Sequence, residues 1–271
     1  MKEDALTHKL SQRWPLIGDD CAVVPARAVD LLFTSDLSIE NVHFTRKSTS
    51  REIGYRAVAR GLSDIAAMGG TPLYCLISFA LAPWTDSRWI DGFYRGVEKI
   101  LRETKTELAG GDISHALELV CDVVIWGSVD KGEALLRSGA RPGDAVFVSG
   151  ALGGWRHKKT IVPRLDFGRK LIGKATACMD ISDGLALDLH RLARASGVEA
   201  RLDSIPLLKG ATLHQGLHEG EDYELLYTAP ARRKLPGIRI GTMIGGEPGR
   251  VTYLGKPIPS LGYDHFRQRR S

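Results

Sequence analysis

Apolar positions in the first half of this chain follow two periods in turn. Near-continuous apolar runs at Leu31–Ser35, Leu73–Ala82 and Leu117–Val129 have the length and β-branched content of strands. Between them lie stretches of helical period. The first opens at Thr49, whose hydroxyl can cap the chain while Glu52 reaches back as a capping box, and it closes near Gly69–Gly70. A second, from Ser87 to about Thr106, carries Ile90, Phe93, Val97, Ile100 and Leu101 on one face and so needs a packing partner. Alternation of strands with amphipathic helices predicts an α/β arrangement.

Gly and Pro cluster in RSGARPGD (Arg137–Asp144), which places a domain boundary there, with an N-terminal part over residues 1–138 and a C-terminal part over 139–271. The second part repeats the α/β theme. VFVSG, ACMDIS, EDYELLYTA and IRIGTMI read as strands, and DGLALDLHRLARASG as a helix that Gly197 ends. Gly168–Ala175 has the spacing of a phosphate-binding P-loop, but Ala175 stands where Ser or Thr should hold a metal and no strand precedes it. It reads as a basic helix ended by Gly173.

Candidate chemistry comes from the aspartates, which sit at the ends of apolar runs or inside apolar faces. Asp19 and Asp20 precede an apolar strand, Asp36 ends LLFTSD, Asp112 ends LAGGD, and Asp180 and Asp183 lie where a strand turns into a helix. Strand ends of an open α/β sheet are where ligands bind. Asp64 is more specific, because it shares a helical stripe with Ile53, Ala57, Gly61 and Met68 that should be buried. A buried carboxylate must be protonated, hydrogen-bonded or bound to a cation. Hard oxygen donors point to Mg²⁺, which pairs one or two carboxylates with substrate phosphates. Any single aspartate could equally be a turn former or a helix cap, Asp183 before Gly184 included. Gly110 and Gly111 would let backbone N–H groups approach an anion, or simply turn the chain.

Composition narrows the classes. Of 271 residues, 43% are hydrophobic and 25% charged, which suits a globular protein with a real core. No run approaches the ~20 apolar residues of a membrane span and the N-terminus lacks an apolar signal core, so neither a membrane nor a secretory context is expected, and the location is expected to be cytoplasmic. The net charge of +5 is dispersed apart from the tail Arg267–Arg270, which does not indicate nucleic acid. Cys21, Cys75, Cys121 and Cys178 show no metal-ligand spacing and read as small buried hydrophobes. The eight histidines form no recognisable catalytic arrangement.

Taken in order, IGDDCAVV, TSDLSIENVHF, GYRAVARGLSDIAAMGGTP, LAGGDIS, LLRSGARPGD, CMDISDGL, GEDYELLYT and GYDHF resemble the thiamine-monophosphate kinase family of the aminoimidazole ribonucleotide synthetase-like ATP-binding superfamily, nearly end to end. The resemblance implies an N-terminal mixed-sheet domain that pairs across a homodimer, and a C-terminal α/β domain. It implies ATP and Mg²⁺, with a monovalent cation left open, and thiamine monophosphate as substrate. Carried over motif by motif, Asp19, Asp20, Thr34, Ser35, Asp36, Asp64, Asp112, Asp180 and Asp183 are the expected metal ligands, Asp64, Asp112 and Asp180 being central to catalysis. Tyr94, Gly111, Asp112, Arg137 and Ser182 would contact ATP, and His43, Glu221 and Tyr263 the thiamine phosphate. The chain departs from the family pattern in a shortened stretch between Gly150 and Ala177, and in Glu219 where glycine is more usual. Another ATP-dependent synthetase of the superfamily, or a non-catalytic nucleotide-binding paralogue, remains open on these residues.

Overall fold

Thr49 starts the first long helix as the sequence predicts: its side chain accepts from the Glu52 N–H, and Glu52 in turn accepts from the Thr49 N–H. This helix, α2 (Ser50–Ala67), is the centre of the molecule. The computed structural model describes residues 3–157 and 160–265, so the basic tail at Arg267–Arg270 lies outside the described residues. Ahead of α2 come α1 (Glu3–Ser11), β1 (Ala22–Pro25) and β2 (Val29–Ile39). After it follow β3 (Thr71–Leu81), α3 (Ser87–Thr104), β4 (Glu107–His115) and β5 (Val120–Asp130). The strands form one mixed sheet in the order β1-β2-β5-β3-β4, antiparallel except for the parallel β3–β4 pair.

Helices α2 and α3 cover one face of this sheet and pack closely through glycines. A Cβ at Gly54 would meet the Phe93 carbonyl oxygen at 2.1 Å, and one at Gly96 the Arg51 carbonyl oxygen at 2.0 Å. Among the described residues no helix covers the opposite face. There Trp126 meets Phe33 and Tyr74 edge-on, at ring centroid distances of 5.6 and 6.4 Å, with Trp126 41% and Tyr74 43% exposed.

The remaining elements build a second mixed sheet: β6 (Asp144–Val148), α4 (Leu165–Leu171), β7 (Ala177–Asp180), α5 (Leu185–Ala195), β8 (Glu199–Leu202), α6 (Leu213–His218), β9 (Leu225–Pro230), β10 (Ile238–Ile244), β11 (Val251–Tyr253) and β12 (Lys256–Pro257). Its strand order is β12-β11-β8-β10-β6-β9-β7. Gly173, with φ 65°, ends the basic helix α4, and Gly197, with φ 69°, follows α5. Helix α2 reaches across to touch α4 and β7, so it lies at the junction of the two sheets. All four cysteines are buried, and among the described residues no helix is long and apolar enough to cross a membrane.

Three readings of the sequence need correction. β2 continues past Asp36 to Ile39, which puts Asp36 inside a strand and not at its end. Asp112 likewise lies within β4, a strand the polar, glycine-rich sequence does not announce; it forms because β3 offers a parallel edge close enough that a Cβ at Gly111 would fall 1.7 Å from the Ile77 carbonyl oxygen. In EDYELLYTA the strand begins only at Leu225, because Glu221 and Tyr223 adopt left-handed backbone (φ 68° and 49°) that no ladder accepts.

Candidate active site

Three of the expected aspartates converge. Asp20 from the turn before β1, Asp64 from the last turns of α2 and Asp180 from the end of β7 each offer a carboxylate oxygen within 4.8 Å of the others. Strand β2 lines the same side. Thr34 donates to Asp64 Oδ2 at 2.5 Å, and Asp36 lies close enough for its charge to act on Asp64. Ser63, one residue before Asp64, donates to Asp180 Oδ2 at 2.6 Å. Arg137 holds Asp20 through Nη2 and Nε at 2.5 and 3.2 Å from Oδ1, while its backbone N–H donates to Asp19 Oδ1 at 2.9 Å.

The electrostatics are those of a site short of positive charge. Burial pushes Asp64 and Asp180 well above the carboxylate range, and neighbouring carboxylates push them further. Burial likewise raises Asp20 against the pull of Arg137, and Asp19 is raised to about 6 by burial and by Asp20. The Oδ2 of Asp20 is buried with no hydrogen-bond partner. An orphaned carboxylate oxygen facing other acidic oxygens fits a hard divalent cation, which would satisfy the lone pairs and offset the repulsion.

Other expected ligands are placed differently. Ser35 follows Thr34 by one residue and so points to the helix-free face, where it donates to Asp122 Oδ1 at 2.7 Å. Asp112 registers with Ser78, and Ser78 with Asp122, which puts Asp112 on that same face. The structure therefore does not bring Ser35 and Asp112 into the Asp64 group. Asp183 pairs with Arg191 at 2.5 Å and does not cap α5, whose N-cap is Gly184; Asp188 in the first turn of α5 accepts from the Asp183 and Gly184 N–H groups at 3.0 and 3.1 Å. Tyr94 packs against Phe79 and Phe93 at 6.2 and 5.7 Å, an aromatic setting in which packing accounts for it. Ser182 uses its carbonyl to accept from the Glu221 N–H at 2.7 Å.

The expected substrate residues lie near the middle of α2, beside Arg56 and Arg60. The His265 ring lies 5.2 Å from that of His43 and 4.8 Å from that of Tyr263, and the Tyr263 N–H donates to the Asp183 carbonyl at 2.9 Å. Burial together with the charges of Arg60 and His265 lowers His43 to about 3, so its ring is neutral. Glu221 accepts from Arg56 at 3.0 Å and from Arg60. The loop that carries Glu221 is braced from behind: Gly153 and Gly154 N–H groups donate to Asp222 Oδ1, and Arg164 grips Glu224 at 2.6 and 2.8 Å. These braces come from the shortened stretch itself. A cavity of about 620 Å³ between α3 and α4, lined by Tyr55, Glu103, Arg164 and Phe167, contains none of the clustered aspartates.

Arg56, Arg60, Ser63 and Arg164 were not singled out from sequence. Arg60 had a signal, since it sits on the inward stripe of α2 one turn before Asp64, where an unpaired charge is costly.

Comparison with known proteins places this geometry. Residues 18–129 match the family model for AIR synthase related protein, N-terminal domain. The chain is 32% identical to the thiamine-monophosphate kinase of Aquifex aeolicus over 93% of each chain, and 36% identical to that of Bacillus subtilis with the same coverage. These alignments run over 286 and 304 positions against 271 residues here, so the relatives carry insertions that this chain lacks. A solved structure of AaThiL complexed with AMPPCP and TMP matches with a TM-score of 0.90 at 32% identity, covering 98% of this chain and 97% of that one. Hydrogenase maturation protein HypE in complex with ATP, at 20% identity and a TM-score of 0.70 over 88% of this chain and 86% of that one, shares the fold.

Proposed function

The chain belongs to the thiamine-monophosphate kinase family, and on that premise we propose that it transfers the terminal phosphoryl group of ATP directly, in line, to the phosphate of thiamine monophosphate. Its reaction is the ATP-dependent phosphorylation of thiamine monophosphate to thiamine diphosphate. The observation that carries the mechanism is the convergence of Asp20, Asp64 and Asp180 within 4.8 Å, beside a second group formed by Arg60, Glu221, His43 and Tyr263.

The acceptor is a phosphate monoester whose second pKa is near ~6, so its attacking oxygen is already ionised at neutral pH. No general base is required, and the neutral His43 is not asked to be one. The obstacle is repulsion between two polyanions, worth several kcal/mol in a partly dry cleft. Asp20, Asp64 and Asp180, with Asp36 and Thr34 beside them, are the residues that would hold Mg²⁺, which supplies charge neutralisation for the β- and γ-phosphate oxygens. Ser63, Thr34 and Arg137 fix the carboxylates in place, so little reorganisation is left for the reaction itself. Tyr263 offers a ring face to the cationic thiazolium. AMPPCP and TMP occupy AaThiL together, the arrangement that transfer without a phosphoenzyme requires.

On this reading residues 1–138 form the nucleotide and Mg²⁺ half and residues 139–271 the second half. A homodimer forms through the helix-free sheet face, covering Phe33, Tyr74 and Trp126 and enclosing the polar row of Ser35, Asp112 and Asp122. A coupled assay of ADP and thiamine diphosphate formation, with and without Mg²⁺, tests the proposal. Stoichiometric, Mg²⁺-dependent appearance of both products is expected; a radiolabelled phosphoenzyme trapped from ATP alone would refute direct transfer.

A further inference from the structure

Arg60 is a buried arginine with unused hydrogen-bonding capacity. It is 3% exposed, its Nη2 donates to Glu221, and its Nε is buried with no partner. A guanidinium carries five N–H donors in a fixed fork and cannot shed its charge, so an unpaired buried N–H on it calls for an acceptor. The surroundings say which kind. Arg60 lies one helical turn from Asp64, about 6 Å along the same face of α2. Asp36 stands near it as well, and on its other side are Glu221, Tyr223 and, further out, His43. It therefore occupies the space between the acidic group that faces the nucleotide and the aromatic group that faces the acceptor.

Pairing does not exhaust its role. Glu221 is already held by Arg56 at 3.0 Å, so a second, buried arginine is not needed to anchor it. Arg60 is also the inward member of the pair, with its side chain 4% exposed against 23% for Arg56. Burying a guanidinium is costly, and although Glu221 and Asp36 both act on Arg60, neither accepts from its Nε. A dianionic phosphate is the ligand that such a charge and a free fork donor would recognise.

We propose that Arg60 is the residue that binds the phosphate of the acceptor substrate, donating from Nε and orienting the attacking oxygen toward the Asp64 cluster. This rests on the kinase reading above and adds to it a specificity determinant: Arg60 is what makes the phosphorylated vitamin, and not the free alcohol, the accepted ligand.

Calorimetric titration of thiamine monophosphate and of thiamine into the full-length wild-type protein, Arg60→Gln and Arg60→Lys provides the test. Wild type should bind the monophosphate more tightly than thiamine; absence of any binding of the monophosphate by wild type would refute the kinase reading itself. Arg60→Gln should lose about 10- to 100-fold in affinity for the monophosphate, the loss of one charge-assisted hydrogen bond, with thiamine affinity nearly unchanged. Arg60→Lys, which keeps the charge but not the fork, should fall between the two and guards against a glutamine variant that does not fold. If Arg60 served only to hold Glu221, both ligands would weaken together. That outcome, or an unchanged preference for the monophosphate, overturns the assignment.

Discussion

Ser63 donates its hydroxyl to Asp180 across 2.6 Å, and this bond ties helix α2 of the first sheet layer to strand β7 of the second. The residue after Ser63 is Asp64, so consecutive side chains on one helix supply one carboxylate of the cluster and the hydrogen bond that fixes another. Replacing either carboxylate by its amide keeps the shape and removes the charge. Asp64→Asn and Asp180→Asn should each lower turnover by about 10³-fold or more, in line with the loss of a metal-holding group. Their melting temperatures without Mg²⁺ should equal or exceed that of the parent, because a repelling charge has gone. Steady-state rates beside thermal melts check both halves of this expectation, and near-parental turnover would remove the residue from the cluster.

The same repulsion sets a pH dependence. Asp20, Asp64 and Asp180 are raised above ordinary carboxylates and Asp19 is raised to about 6. A carboxyl raised on folding stabilises the protein fully below its unfolded value, about 4, and that contribution is lost as pH climbs through the folded value. Without divalent cation the melting temperature should therefore fall as pH rises from about 4 through about 6, where Asp19 ionises, and beyond as the other raised carboxyls follow. Added Mg²⁺ binds the ionised form, so its stabilising shift should grow over the same interval. Melting curves at stepped pH with EDTA and with MgCl₂ measure this; a shift that shrinks toward alkaline pH would contradict it.

Glu221 pairs with Arg56 and Arg60, and the Tyr263 N–H donates to the Asp183 carbonyl; both residues are proposed to hold the acceptor. Glu221→Ala also releases Arg56 and Arg60 from their shared carboxylate. Both Glu221→Ala and Tyr263→Ala should raise KM for thiamine monophosphate about tenfold or more while KM for ATP changes by less than about threefold. Equal losses on both substrates would show that the residues support the cleft as a whole.

Trp126 is 41% exposed on a sheet face that no helix covers, with Phe33 and Tyr74 beside it. A contiguous aromatic patch of this kind marks an interface. Trp126→Glu should convert the protein to a monomer in sedimentation analysis and leave the far-ultraviolet circular dichroism unchanged. A parent protein that is itself monomeric at micromolar concentration would dispose of the proposed homodimer.

Local features of the chain were readable from its sequence. The Thr49–Glu52 cap spans three residues and Asp64 falls on a helical stripe, so period and spacing suffice to find them. The pairs that shape the site were not readable, because Arg60–Glu221 and Arg137–Asp20 join residues 161 and 117 positions apart. Which arginine meets which carboxylate is a property of the assembled layers. β4 is not legible in the sequence for a different reason: its strand character comes from the neighbouring edge of β3 and not from its own glycine-rich residues. Ser35 is a case where a rule was available, since alternation along β2 assigns it to the face opposite Thr34 and Asp36.

At Gly54 and Gly96 the backbones of α2 and α3 approach too closely to admit even a methyl group. The consequence is mechanical. Arg56, Arg60, Ser63 and Asp64 all ride on α2, so a shim between the two helices would tilt the whole rod, moving the donor-side and acceptor-side anchors at once. Alignment of the two reactants is in this sense a single degree of freedom, clamped at two hydrogen atoms.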